Sequence, residues 1–222
     1  MKSGSLSKPL WAALIGLLAI MLVFFAIRLV VDVPNVLTGT IPDESLFEHR
    51  YARYPWLAYS HILPGIVFLL IAPFQLWRSF RNRNLQRHRR LGRVALGAGI
   101  LSGIFAIIFG FFQSFGGLLQ ASAAVAFGIW FLGSLGLAYR AIRARDIDAH
   151  RRWMIRAFAI GLAVGTIRLW IGLFQAFGLF SFRDSFGVGF WISFVMHAAV
   201  AELYVRWRPT ASGRPRRKHA SA

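Results

Sequence analysis

The stretch VALGAGILSGIFAIIFGFF, residues 94–112, carries no charged residue. As a helix it is about 28 Å long, close to the ~30 Å of hydrocarbon in a bilayer. It lacks the alternation of apolar and polar positions that a lipid-facing barrel strand needs. Arg87, Arg89, Arg90 and Arg93 crowd against its start, the charge step expected at a cytoplasmic membrane boundary. Five further apolar runs have the same character, at about 10–31, 56–76, 121–139, 154–178 and 187–205. The fold expected is all-α: a six-span transmembrane helical bundle forming one membrane domain over residues 1–222, with a basic cytoplasmic tail at 207–222. The segments between runs are too short to hold a separate soluble domain. The first run passes straight into Asp32-Val33-Pro34-Asn35, which reads as a retained signal-anchor helix rather than a cleaved signal.

Composition agrees. The chain has 222 residues, 57% hydrophobic and 15% charged, with a mean hydropathy of +0.55. Soluble domains average about 45–50% apolar and about 25% charged. Cysteine is absent, which excludes iron–sulfur clusters, thiolate zinc sites and cysteine nucleophiles. The net charge of +18 is unevenly placed: 21 of the 26 basic residues fall at the N-terminus, in 77–93, in 140–156 and from 206 onward. The positive-inside rule then puts both termini in the cytoplasm. Anionic lipid headgroups account for so basic a surface, and nucleic acid is not expected, since no motif for it is present. No GxGxxG, P-loop, HExxH or Ser-His-Asp arrangement supports nucleotide or hydrolase chemistry. The other side is acidic around Asp32, Asp43, Glu44 and Glu48, and Pro42-Asp43-Glu44-Ser45 suggests the start of a short interfacial helix.

Shifted by 62 residues, the sequence partly overlies itself. His88-Arg89-Arg90 meets His150-Arg151-Arg152, Gly99 meets Gly161, Gly103 meets Gly165, Gly110 meets Gly172, and Gln113 meets Gln175. A duplicated helical hairpin, spans two–three repeated as four–five, would have both copies in the same orientation about an axis along the membrane normal. Each copy carries a stripe of small residues from a histidine to a glutamine at helical spacing. Such stripes let helix backbones approach closely. Alternatively they leave a slot for a flat cofactor between spans three and five, with His88 and His150 facing each other as metal ligands. Neutral imidazole is a good axial ligand for haem iron. Arg89, Arg93, Arg151 and Arg152 would then pair with propionates.

Ionisable groups at membrane depth are costly and point to function. Arg168 lies well inside span five with no acid at a matching depth. It would answer an anionic ligand or a structural partner. His61 and His197 suggest an outer pair, or two histidines satisfied by neighbouring helices. Arg28 is near enough to a span end to snorkel. Glu202 is expected to pair with Arg206, four residues on.

His61-Ile62-Leu63-Pro64-Gly65, Ala72-Pro73-Phe74-Gln75, His88-Arg89-Arg90-Leu91-Gly92-Arg93 and His150-Arg151-Arg152-Trp153-Met154-Ile155-Arg156, with Arg168 downstream, resemble the bacterial membrane family catalogued as domain of unknown function 2306. The resemblance spans about 56–206 and implies a multi-span helical protein of the bacterial inner membrane, without a settled activity. More loosely, the placing of His61, His88 and His150 is similar to that in ascorbate-linked transmembrane cytochromes b, which implies two haems in a four-helix core. Gln120 stands near the position where that family has its fourth histidine.

The leading functional expectation is a membrane electron-transfer protein holding haem b through His88 and His150, with a quinone or redox partner near His61 and Arg168. A small transporter or ligand-binding protein using Arg168, Gln113 and Gln175 is the alternative, and a structural or assembly protein is the third.

Overall fold

The structure, a computed structural model, describes residues 8–207. Nearly all of the expected tail at 207–222, and Lys2, lie outside the described residues. Those described form eight helices and no strand. Six are long and apolar enough to cross a membrane: α1 (Lys8–Thr38), α3 (Pro55–Leu76), α5 (Leu85–Phe112), α6 (Gly117–Arg143), α7 (Ile147–Ala176) and α8 (Phe182–Trp207). Two are short, α2 (His49–Arg53) and α4 (Arg78–Arg83).

The long helices outrun their apolar cores. The Asn84 side chain accepts from the Arg87 amide at 2.9 Å and opens α5. The Asp146 side chain accepts from the Ala149 amide at 2.8 Å and opens α7. Each cap satisfies an amide that the first turn cannot pair. His88, His150 and their neighbouring arginines therefore stand on helices rather than in loops. Around Pro42–Ser45 the chain forms a turn instead of the expected helix start. Asp43 Oδ1 accepts from both the amide (2.9 Å) and the hydroxyl (2.6 Å) of Ser45, and α2 begins only at His49.

Packing follows chain order. α3 lies on α5, α5 on α6, α6 on α7 and α7 on α8, and α8 returns to α6. α1 is peripheral and rests on α7 and α3. The glycine stripes seat side chains from neighbouring helices. A Cβ on Gly99 would meet Phe68 Cδ2 at 2.9 Å and Leu135 Cδ1 at 3.0 Å; one on Gly161 would meet Leu69 Cδ2 at 3.1 Å and Phe68 Cε1 at 3.4 Å. The Phe68 ring, 2% exposed, is thus wedged with one edge toward each of two glycines 62 residues apart. Gly103 faces Leu132 and Phe131, and Gly165 faces Leu17 of α1.

Glu202 does not take Arg206 as its partner. It is gripped from α7 by Arg156, Nε to Oε1 at 2.5 Å and Nη2 to Oε2 at 2.9 Å. The fork reaches both carboxylate oxygens, a geometry stronger than a single-point contact along one helix.

Candidate functional site

At the end of the bundle that carries α2, three arginines converge on a cavity of about 230 Å³. Each is held differently.

Arg28 is 3% exposed. It does not snorkel, because a carboxylate one turn later makes burial cheaper than reaching for water. Both oxygens of Asp32 accept from it, Nε to Oδ2 at 3.1 Å. Glu48 is 3.4 Å from Nη1, and Tyr59 donates its hydroxyl to Asp32 Oδ2 at 3.0 Å. The guanidinium also lies 4.2 Å from the Tyr51 ring centre, an attractive cation–π arrangement.

Arg50 is carried in by α2. It donates from Nε to the Phe47 carbonyl at 2.9 Å and from Nη1 to the Gln113 carbonyl at 3.2 Å. Its guanidinium lies 4.4 Å from the ring centres of both Phe47 and Phe115. Burial pulls its pKa down to about 10, and the nearby Arg28 and Arg183 act in the same direction. It stays charged at neutral pH.

Arg168 comes from the middle of α7 and has no such support. Its Nε and Nη1 are sealed from solvent without a hydrogen-bond partner, and among the described residues no carboxylate pairs with it. Among the described residues the Phe24 ring of α1 lies over it, 3.9 Å from ring centre to guanidinium carbon, with His61 and Tyr51 within electrostatic reach.

His61 on α3 completes the polar wall. Its Nδ1 is 3.0 Å from the Ser102 carbonyl and 3.1 Å from Ser102 Oγ, while that hydroxyl donates to the His61 carbonyl at 2.9 Å. A carbonyl only accepts, so the proton must sit on Nδ1. The Gln113 and Gln120 side chains also line the cavity, and Gln120 Oε1 accepts from the Gly116 amide at 2.6 Å. Apart from Tyr51 the rest is apolar, from Leu18 and Phe24 of α1 to Phe186 and Phe194 of α8.

Of the residues singled out from sequence, the cavity gathers His61, Arg168 and Gln113. Gln175 stands apart, donating to Ser185 Oγ at 2.7 Å. His197 is on Thr166 Oγ1 at 3.1 Å, so it does not pair with His61. Arg28, Arg50 and Gln120 join unexpectedly. For Arg28 the available signal was Asp32, one turn downstream; for Arg50 it was the flanking Phe47 and Tyr51.

His88 and His150 belong to the opposite end, within electrostatic reach of each other. His150 donates through Nδ1 to the Ala138 carbonyl at 2.9 Å, and the buried Nδ1 of His88 has no partner. Arg89, Arg93 and Arg151 are exposed and Arg152 is half-buried. Nothing at this end supports a haem on the pair. α5 and α7 pack chiefly on α3, α6 and α8 rather than on each other, Phe68 fills the space beside Gly99 and Gly161, and neither histidine lines the cavity. Among the described residues no group of three or more histidines and acids is gathered to hold a metal.

Fold and site together define a membrane protein with six candidate spans and a cationic, largely apolar cavity between its helices. The chain belongs to the family described as "Predicted membrane protein (DUF2306)", which matches residues 58–205. That match covers His61, Gln113, Gln120 and Arg168; α1 and α2, with Arg28 and Arg50, precede it. No curated protein and no solved structure matches the chain, so the looser likeness to the cytochromes b finds no support.

Proposed function

We propose that this protein binds an amphipathic anion within the membrane, its apolar body among the aromatic side chains and its charged head on Arg168. The observation that carries this is the unpartnered guanidinium itself. Other buried or part-buried arginines among the described residues are answered by acceptors, Arg28 by Asp32, Arg156 by Glu202 and Arg50 by the Phe47 and Gln113 carbonyls. An uncompensated cation in an apolar wall is unfavourable by several kcal/mol, and a ligand anion would supply the missing charge. A mostly apolar pocket with a few converging polar groups is the usual form of a small-molecule site. With the arginine-rich end on the cytoplasmic side, as the positive-inside rule expects, the cavity lies toward the outer face. A bacterial inner-membrane protein that captures or moves such a solute is the reading favoured over an electron carrier.

The test is ligand-induced thermal stabilisation of protein solubilised in a non-ionic detergent. Dodecanoate should raise the midpoint for the wild type and leave Arg168→Met unmoved. Dodecyltrimethylammonium should raise neither. An equal shift with the cation, or an undiminished dodecanoate shift in Arg168→Met, defeats the proposal.

A further inference from the structure

We infer that the head group taken by this cavity carries a single negative charge and keeps one O–H, which it donates to His61. The inference rests on the amphipathic-anion reading and narrows it in two independent ways.

The first is a charge count. Arg28, Arg50 and Arg168 line the cavity, and behind Arg28 stand Asp32 and Glu48. Three cations against two carboxylates leave one positive charge. Among the described residues no carboxylate lines the cavity itself, and α5, α6 and α8 contribute no titratable group to its wall. Arg183 approaches Arg50 but is exposed and screened by water. In a medium of low dielectric an unbalanced charge is strongly unfavourable. One negative charge balances the site; a dianion would overshoot it.

The second is the tautomer of His61. With Nδ1–H committed to the Ser102 carbonyl, the neutral ring presents Nε2 as a lone pair. That nitrogen has no partner among the described residues, and the ring lines the cavity. The titratable groups that share the cavity wall with it are Arg168 from α7, Arg28 from α1, and Arg50 and Tyr51 from α2, of which Arg168 acts on it directly. Each of these groups can donate, yet none is hydrogen-bonded to Nε2, so its lone pair is left open to a donor on the ligand. The wall thus offers a donor, Arg168, and an acceptor, His61. A simple carboxylate or a phosphodiester satisfies only Arg168. A singly ionised phosphomonoester, or a carboxylate with a neighbouring hydroxyl, satisfies both.

The experiment measures binding of dodecyl phosphate, its methyl diester, dodecanoate and 2-hydroxydodecanoate to the solubilised full chain. Phosphorus NMR locates the monoester's second ionisation, near pH 6 in water, in the same micelles. Below that pH the monoester should bind about fivefold to tenfold tighter than the diester, the size of one hydrogen bond to a buried acceptor. His61→Phe should close this gap and His61→Gln, which keeps an acceptor oxygen, should restore part of it. Above that pH the monoester's affinity should fall about tenfold per unit as the dianion takes over, while the diester stays flat. A 2-hydroxydodecanoate preference over dodecanoate with no monoester preference would assign the O–H to a hydroxy acid rather than a phosphate. Equal affinity of monoester and diester, together with no effect of the 2-hydroxyl, overturns the His61 assignment. Undiminished binding of the dianion overturns the charge count. Both comparisons are made on the wild type, so neither depends on a variant that folds. If none of the four anions binds, the amphipathic-anion reading itself fails and this inference with it.

Discussion

Replacing Arg168 and replacing Arg28 by methionine should move stability in opposite directions, although both remove a buried arginine near the same cavity. Arg168 has no acid. Holding such a cation at membrane depth is unfavourable by about 2.5–3.5 kcal/mol on insertion scales. Its contact with Phe24, 3.9 Å from ring centre to guanidinium carbon, returns about 0.5–2 kcal/mol. Arg168→Met keeps most of the aliphatic packing, so the ligand-free protein should gain about 1–2 kcal/mol. For a chain of this size that is a rise of about 2–8 °C in the midpoint. Arg28→Met strands Asp32, which is fully buried at 0% exposure. Breaking a buried pair by removing one partner costs about 3–5 kcal/mol, a fall of about 6–20 °C. The assay is thermal unfolding in a non-ionic detergent, followed by tryptophan emission. Anionic detergents are avoided because they would occupy the cavity. If Arg168→Met is destabilised as severely as Arg28→Met, Arg168 has a structural partner, and the case for a ligand on it collapses.

Other consequences can be checked in the same way. Phe68→Ala should cost about 3–5 kcal/mol, and adding Gly99→Ala, whose methyl would then occupy vacated space, should recover part of it in a double-mutant cycle. Glu202→Gln should destabilise by about 1–2 kcal/mol through loss of the Arg156 fork, whereas Arg206→Gln should stay within about 0.5 kcal/mol. Two hydrogen bonds from Ser45 hold the exposed Asp43 carboxyl below its usual pKa. A depressed folded-state pKa stabilises above the unfolded value and loses that contribution as pH falls through the folded one. Protection of the Ser45 amide against hydrogen exchange should therefore drop in strong acid, and Ser45→Ala should remove the Asp43 shift in a carboxyl titration followed by NMR.

The six spans were legible because lipid contact demands uninterrupted apolar length, which hydropathy measures directly. Helix starts were not, because hydrogen bonding continues past the lipid boundary. α5 begins at the Asn84 cap and α7 at the Asp146 cap, each well before its apolar run. His61 and Arg168 were legible as polar residues at depth. What they do was not, because partnership depends on which helices meet. His197 found Thr166 and Gln175 found Ser185, whereas among the described residues Arg168 found the Phe24 ring and no acid. The glycine stripes were expected to let helix backbones meet or to leave a slot, and side chains of neighbouring helices occupy most of that space instead. A small residue states only that space is wanted; Phe68, lying outside both stripes, fills it.

The contrast among the arginines also bears on how the cavity is closed. α1 lies on α7 and α3 with little of its span buried, yet it contributes Phe24 beneath Arg168 and Arg28 beside Tyr51. Its docking therefore depends on three cation–π contacts, Arg28 with Phe47 and Tyr51 and Phe24 with Arg168, and on the Asp32–Tyr59 bond as well as on apolar packing. An anion arriving on Arg168 would strengthen the charge balance without disturbing Arg28, whose own acids remain in place. Ligand binding and α1 docking are then expected to be coupled, because any ligand seated on Arg168 also touches the α1 wall. A spin-label pair across α1 and α7 at the α2 end should narrow its distance distribution when dodecanoate is added to the wild type and show no change in Arg168→Met. A distribution that broadens on dodecanoate binding would mean that the anion displaces α1 instead of settling beneath it.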